Sequence, residues 1–189
     1  MTKDEVLRQL EMFGDAQTRK TLLRHGAKEP LFGVKVGDLK KIQKKIKKDH
    51  ELSLALFDTG NSDAMYLAGL IADENRITKA DLKEWAKNAG WKMPSECTVP
   101  WVAAESRFGQ ELALEWIDAK TENVASSGWS TLSSLVSIKP DAELDLALLR
   151  KPIRFRRVKK PDPGTQFGYT MLLGRGNSPE VYILPFIGS

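Results

Sequence analysis

Cysteine is almost missing from this chain: Cys97 is the single one in 189 residues, so no internal disulfide can form. Histidine is nearly as scarce, with His25 and His50 alone, and neither lies near Cys97 in sequence. No metal-ligand spacing and no nucleophile–base pattern results, so no metal or cofactor is expected and Cys97 reads as a small buried hydrophobe. Long apolar runs are missing too. VPWVAA at 99–104 is among the longest, far short of the roughly 20 residues that span a bilayer. The opening MTKDEVLRQL has neither a basic start nor an apolar core, so no export signal is read and a cytoplasmic location is expected.

What is present is charge, unevenly placed. The net charge is +4, yet residues 1–18 carry −2, residues 19–48 carry +9, residues 49–149 carry −9 and residues 150–189 carry +6. Such a concentrated positive field attracts polyanions, because each neutralised phosphate releases condensed counterions. The plainer alternative is a solvated lysine face that serves solubility.

Apolar spacing predicts helices from the N-terminus to about residue 149. Thr2 and Glu5 form a capping-box pattern, Val6, Leu7, Leu10 and Phe13 follow at helical spacing, and Gly14 closes the segment. A second helix is expected from Asp15 to Arg24. In a third, over 38–48, Leu39, Ile42 and Ile46 share one face while Lys40, Lys41, Lys44, Lys45, Lys47 and Lys48 cover the rest. Further helices are read at ELSLALFDTG, SDAMYLAGLIAD, TKADLKEWAKNAG, GQELALEWIDAK, 122–138 and DAELDLALLR. Short connections between helices of this length force antiparallel neighbours. Pairs recurring at roughly 35–45 residues suit an all-α, HEAT-like α-α superhelix better than a closed bundle.

The organisation is thus a helical repeat domain over 1–149, followed by a basic segment over 150–189 that holds five prolines and five glycines. Few helices survive that density of breakers.

Four stretches resemble the DNA alkylation repair protein family, the HEAT-like-repeat alkylpurine DNA glycosylases: FGVKVGDLKKIQKKI at 32–46, LALFDTGNSDAMYLAGLIAD at 54–73, VPWVAAES at 99–106 and GWSTLSSLVS at 128–137. The resemblance implies metal-free hydrolysis of an alkylpurine N-glycosidic bond, with a carboxylate stabilising the cationic sugar and aromatic faces assisting. It also implies a Trp and an Asp four residues apart on one helix, with an Arg three residues after a later Trp. GWKMPSECTVPWVAAES at 90–106 fits incompletely: four residues after Trp91 stands Ser95, and anchoring on Val99 and Pro100 puts Glu96 at the acid position with Lys92 where the aromatic belongs. Trp129 is followed three residues later by Leu132 instead of an arginine.

On this reading Glu96 is the candidate acid, assisted by Trp91 and Trp129. Lys92 and Glu96 also stand at i,i+4 spacing, which favours a simple surface pair. The expected partner is duplex DNA, held through its phosphates by Lys35, Lys40, Lys41, Lys44, Lys45, Lys47 and Lys48, with Arg154, Arg156, Arg157, Lys159 and Lys160 able to join them. A monomer is expected. Two alternatives stand beside excision: a noncatalytic binder of distorted or branched DNA, and a protein-interaction scaffold using the acidic middle segment.

Overall fold

The structure is a computed structural model and describes residues 1–145. Helix starts follow the capping residues in the sequence. Helix α1 (Lys3–Met12) begins at Thr2, whose hydroxyl accepts from the Glu5 amide while the Glu5 carboxylate accepts from the Thr2 amide. Asp15 caps α2 (Ala16–Arg24), Asp49 caps α4 (His50–Phe57), Asn61 caps α5 (Ser62–Ile71), and Thr78 with Asp81 forms a second capping box on α6 (Lys79–Asn88). Between them, α3 runs Val36–Ile46. The chain continues through α7 (Val99–Glu105), α8 (Gly109–Ile117) and α9 (Glu122–Ile138). Beyond Pro140 the described part ends in a 3₁₀ turn at Asp141–Glu143. Most of the helix expected at DAELDLALLR, and all of 150–189, lies outside the described residues.

These helices stack in two layers, the HEAT-like arrangement. Helices α4, α6 and α8 follow one another in one layer: Phe57 stacks on Trp85 with ring centroids 4.2 Å apart, and Lys79 and Lys83 pair with Glu111 and Glu115. Because those pairs advance by four residues on both partners, α6 and α8 run in the same direction, as equivalent helices of successive repeats must. Helices α3, α5, α7 and α9 pack against their neighbours in the other layer. The repeat is shorter than expected. Pairs begin at His50, Lys79 and Gly109, intervals of 29 and 30 residues, because the first helices of the pairs are only 8, 10 and 9 residues long and tight loops need no more chain.

A continuous apolar core including Leu10, Ile42, Leu56, Leu67, Ile71, Leu82 and Leu112 runs from α1 to α8, and a second cluster around Ala104, Ala113, Leu132 and Leu135 joins α7, α8 and α9. Helices α8 and α9 cross at Gly128, where a Cβ would meet the Ile117 amide nitrogen at 2.5 Å. Only a residue without a side chain permits that approach.

The proline-rich stretch at 90–106 does not break. Pro94–Thr98 forms a π-helical turn leading directly into α7, with the Val99 amide donating to the Pro94 carbonyl. A proline inside an α-helix clashes with the carbonyl four residues earlier, here that of Glu96. The wider π turn makes room for Pro100 while the chain stays helical.

Candidate nucleic-acid interface

The basic helix is held in place from below by a buried carboxylate. Phe32, Gly33 and Val34 lead into α3, and Gly33 adopts φ +81, so the three consecutive amides converge on one point. Asp63, near the start of α5 and 4% exposed, fills it: Oδ2 accepts from Phe32 at 2.6 Å and Gly33 at 3.0 Å, and Oδ1 from Val34 at 3.0 Å. A concave row of backbone amides is an anion site. Here the anion belongs to the chain itself and ties the start of α3 to α5.

On α3, Leu39 and Ile42 are buried and Ile46 is half-buried, whereas Lys40, Lys41, Lys44 and Lys45 are exposed on the opposite side. The helix ends at Ile46, two residues before the expected limit, because Lys47 turns to φ 65 as the C-cap. Lys47 and Lys48 therefore stand just beyond the helix. Lys44 and Lys45 occupy its last turn, where positive charge is favoured by the helix dipole.

The ammonium groups differ in their surroundings. Lys41 pairs with Asp38 at 2.8 Å and Lys48 pairs with Glu74. The Lys48 contact holds the Glu74 carboxyl below its ordinary range and raises the lysine. Among the described residues, Lys40, Lys44, Lys45 and Lys47 make no ion pair. Lys35 lies near Asp15, whose carboxyl is lowered chiefly by the Thr18 hydroxyl and amide and to a lesser degree by the Lys35 charge. The arginines and lysines expected to assist from the C-terminal segment lie outside the described residues.

Beside Lys35 a cleft of about 250 Å³ opens between α2, the start of α3, α5 and the 91–93 segment, its lining including Leu22, Lys35, Val36, Tyr66, Trp91 and Met93. Trp91 is nearly buried, its Nε1 donating to Ser62 Oγ at 3.0 Å, and it packs with Ala27 and Leu31. Trp129, half-buried on α9, packs instead against the cluster of Ala104 and Ala113. The two tryptophans thus belong to different apolar clusters. Glu96 is half-buried in the π turn, and burial pushes its carboxyl up, opposed by the Lys92 charge and reinforced by Glu122. Ser95 is buried, with its hydroxyl donating to the Trp91 carbonyl at 3.0 Å. Leu132 lies in the α7–α9 core. Trp85 and Trp116 are core residues, and Trp101 packs edge-on against Tyr66 with centroids 5.5 Å apart.

Sequence reasoning missed Asp63 and Ser62. A signal existed in the run NSDA, where Asn61 caps α5 and leaves the next two polar residues facing inward. Nothing local says what they face. Cys97 is half-buried, its thiol pushed up to about 11 by burial and by Glu96. Among the described residues no cluster of three His, Cys, Asp or Glu side chains could hold a metal, and no helix is long and apolar enough to cross a membrane.

Comparison with known proteins places these features in context. A family model for DNA alkylation repair enzymes matches residues 6–149. An uncharacterized protein of Listeria innocua is 31% identical over 159 residues, covering 80% of this chain and 68% of its own. One from Listeria monocytogenes is 32% identical over 151 residues, covering 76% and 66%. A solved structure from a family related to the HEAT-like repeat DNA glycosylases, with affinity for branched DNA structures, superposes with a TM-score of 0.74 at 37% identity. That match covers 78% of this chain and 63% of the other, so the chain spans about two thirds of the length of the relatives it matches.

Proposed function

This chain belongs to the DNA alkylation repair enzyme family, and from that membership we propose that it binds DNA through phosphate contacts along the lysine face of α3, preferring branched or distorted DNA. The observation that carries this reading is the set Lys40, Lys44 and Lys45, exposed on the solvent side of α3, with Lys47 exposed just beyond its end, all without ion pairs among the described residues. Ammonium groups already paired with carboxylates release few counterions on meeting a phosphate, whereas these can release them fully. Phosphate contacts position a protein without reading bases, so selectivity must come from the shape of the nucleic acid. The structural relative's affinity for branched DNA supports shape as the selected property.

Base excision is the second reading, favoured by one feature: Glu96 is a desolvated carboxyl of the kind that stabilises a cationic sugar when ionised. Against it stand the hydrogen bond that occupies the Trp91 indole and the different cluster that holds Trp129. The scaffold reading has less support, because Lys79 and Lys83 already pair with Glu111 and Glu115 on the acidic middle segment.

Titration of a fluorescent four-way junction and of a duplex across a salt series tests the proposal. Tight junction binding with a steep salt slope is expected, and Lys40→Ala with Lys44→Ala should flatten the slope by about two. A slope near zero, or a double variant that binds like wild type, rules the lysine face out. Release of 7-methylguanine from methylated DNA, abolished by Glu96→Gln, would instead establish excision.

A further inference from the structure

The cleft beside Lys35 has walls whose polar groups are mostly engaged elsewhere. Asp63 accepts from three amides, the Trp91 indole donates to Ser62, the Ser62 hydroxyl donates to the Lys28 carbonyl, and the Thr18 hydroxyl donates to Asp15 at 2.7 Å. The space is bounded mainly by the side chains of Leu22, Val36 and Met93 and by the Tyr66 and Trp91 rings. One polar group on these walls is unengaged: Tyr66 is 8% exposed, and its hydroxyl makes no hydrogen bond among the described residues.

Size, shape and charge limit the occupant. A cavity of about 150 Å³ takes a benzene ring and drug-sized ligands fill roughly 300–1,000 Å³, so about 250 Å³ suits a single flat ring system. Aromatic and methionine walls favour a ring that stacks. Lys35 stands at the same cleft, exposed and without an ion pair among the described residues, so it favours an anion beside that ring. Val36 lines the cleft and precedes Lys40 and Lys44 at four-residue steps on α3, so the lysine stripe continues from the cleft along the helix. A flat ring followed by a row of negative charges is a nucleotide within a polyanion.

We infer that the cleft receives one unpaired base of DNA, stacked against Trp91 and Tyr66, while Lys35 holds the phosphate of that nucleotide and Lys40 and Lys44 hold the adjoining arm. The inference rests on the proposed DNA binding and supplies its selectivity. A paired base must give up its pairing and its stack to reach the cleft, whereas a base left unpaired at a branch or bulge avoids most of that cost. Because the walls offer a base edge little beyond the Tyr66 hydroxyl, stacking dominates and the identity of the base matters little.

Fluorescence anisotropy at one salt concentration compares three duplexes with identical blunt ends: one fully paired, one with a single bulged adenine, and one with an abasic analogue in the bulge. The two bulged probes share a backbone and differ in the base alone. The full wild-type chain should bind the adenine bulge roughly tenfold more tightly than the abasic bulge, the expected contribution of one stacked base. Val36→Trp fills the cleft from a side chain that is 40% exposed and outside the buried clusters, and Leu22→Phe narrows it from α2. Each should bring the adenine bulge to within about twofold of the abasic bulge, with the abasic and paired probes held as by wild type. Lys40→Ala with Lys44→Ala should weaken all three. Retained binding of the abasic and paired probes shows that a cleft variant folds. Equal wild-type affinity for the two bulges, or an adenine preference that survives Val36→Trp, overturns the inference and leaves DNA binding standing. So does an equal loss on all three probes by a cleft variant with the wild-type circular dichroism spectrum. A wild type that binds none of the three overturns both readings.

Discussion

The backbone amide of Gly33 and the carboxylate of Asp63 meet at 3.0 Å although 30 residues separate them in sequence. Two further amides, from Phe32 and Val34, share the same carboxylate, so one buried side chain fixes the turn from which the lysine helix starts.

Asp63→Asn keeps the size of the side chain and replaces one acceptor oxygen with a donor that faces a backbone N–H. Leaving a buried group unsatisfied costs about 1–3 kcal/mol, and a fall in unfolding free energy of about 2 kcal/mol is expected by urea denaturation. Gly33→Ala should be at least as damaging, because φ is +81 and the added Cβ would lie 2.5 Å from the Arg19 backbone nitrogen. If either variant unfolds at the wild-type midpoint, the carboxylate does not organise the turn.

Trp91 and Ser62 form a second long-range tie, Nε1 to Oγ at 3.0 Å, and the Ser62 hydroxyl in turn donates a hydrogen bond to the Lys28 carbonyl at 3.0 Å. A double-mutant cycle of Trp91→Phe and Ser62→Ala isolates the bond, with an expected coupling of about 1 kcal/mol. A coupling near zero would show that the indole is free to serve another partner.

Burial raises the Glu96 carboxyl above its ordinary value of 4.5. The folded state therefore holds the proton more tightly than the unfolded state, and stability declines as pH rises from that ordinary value through the elevated folded one. Glu96→Gln removes the titration. Its melting temperature should exceed that of wild type at pH 7 by more than at pH 4, and a difference independent of pH contradicts the assigned burial effect.

Cys97, with its thiol pushed up to about 11, is almost entirely protonated near neutrality. Ellman's reagent should react slowly with the native chain and rapidly in denaturant. Fast labelling of the folded protein would mean that the π turn opens.

Much of the helical architecture was legible because its signals are local. Capping residues such as Thr2, Asp15 and Thr78 act on amides within one turn, and the spacing of Leu39 and Ile42 fixes which side of α3 is buried. The same spacing placed Lys40 and Lys44 on the solvent side. The repeat length was read too long, since it depends on how tightly layers close, and the end of α3 shifted because Lys47 adopts a positive φ that no sequence rule assigns to lysine.

The linear order of residues determined where helices start, which faces are apolar and where basic charge collects, all set by interactions within about one turn. Tertiary structure alone decided that Asp63 anchors the turn before α3, that Trp91 and Trp129 join different clusters, and that Gly14 bridges to Val34. Those relationships join segments separated by loops and other helices. Only the packing of the two layers fixes them, because hydrogen bonds and apolar contacts act over a few ångströms of space whatever the distance along the chain.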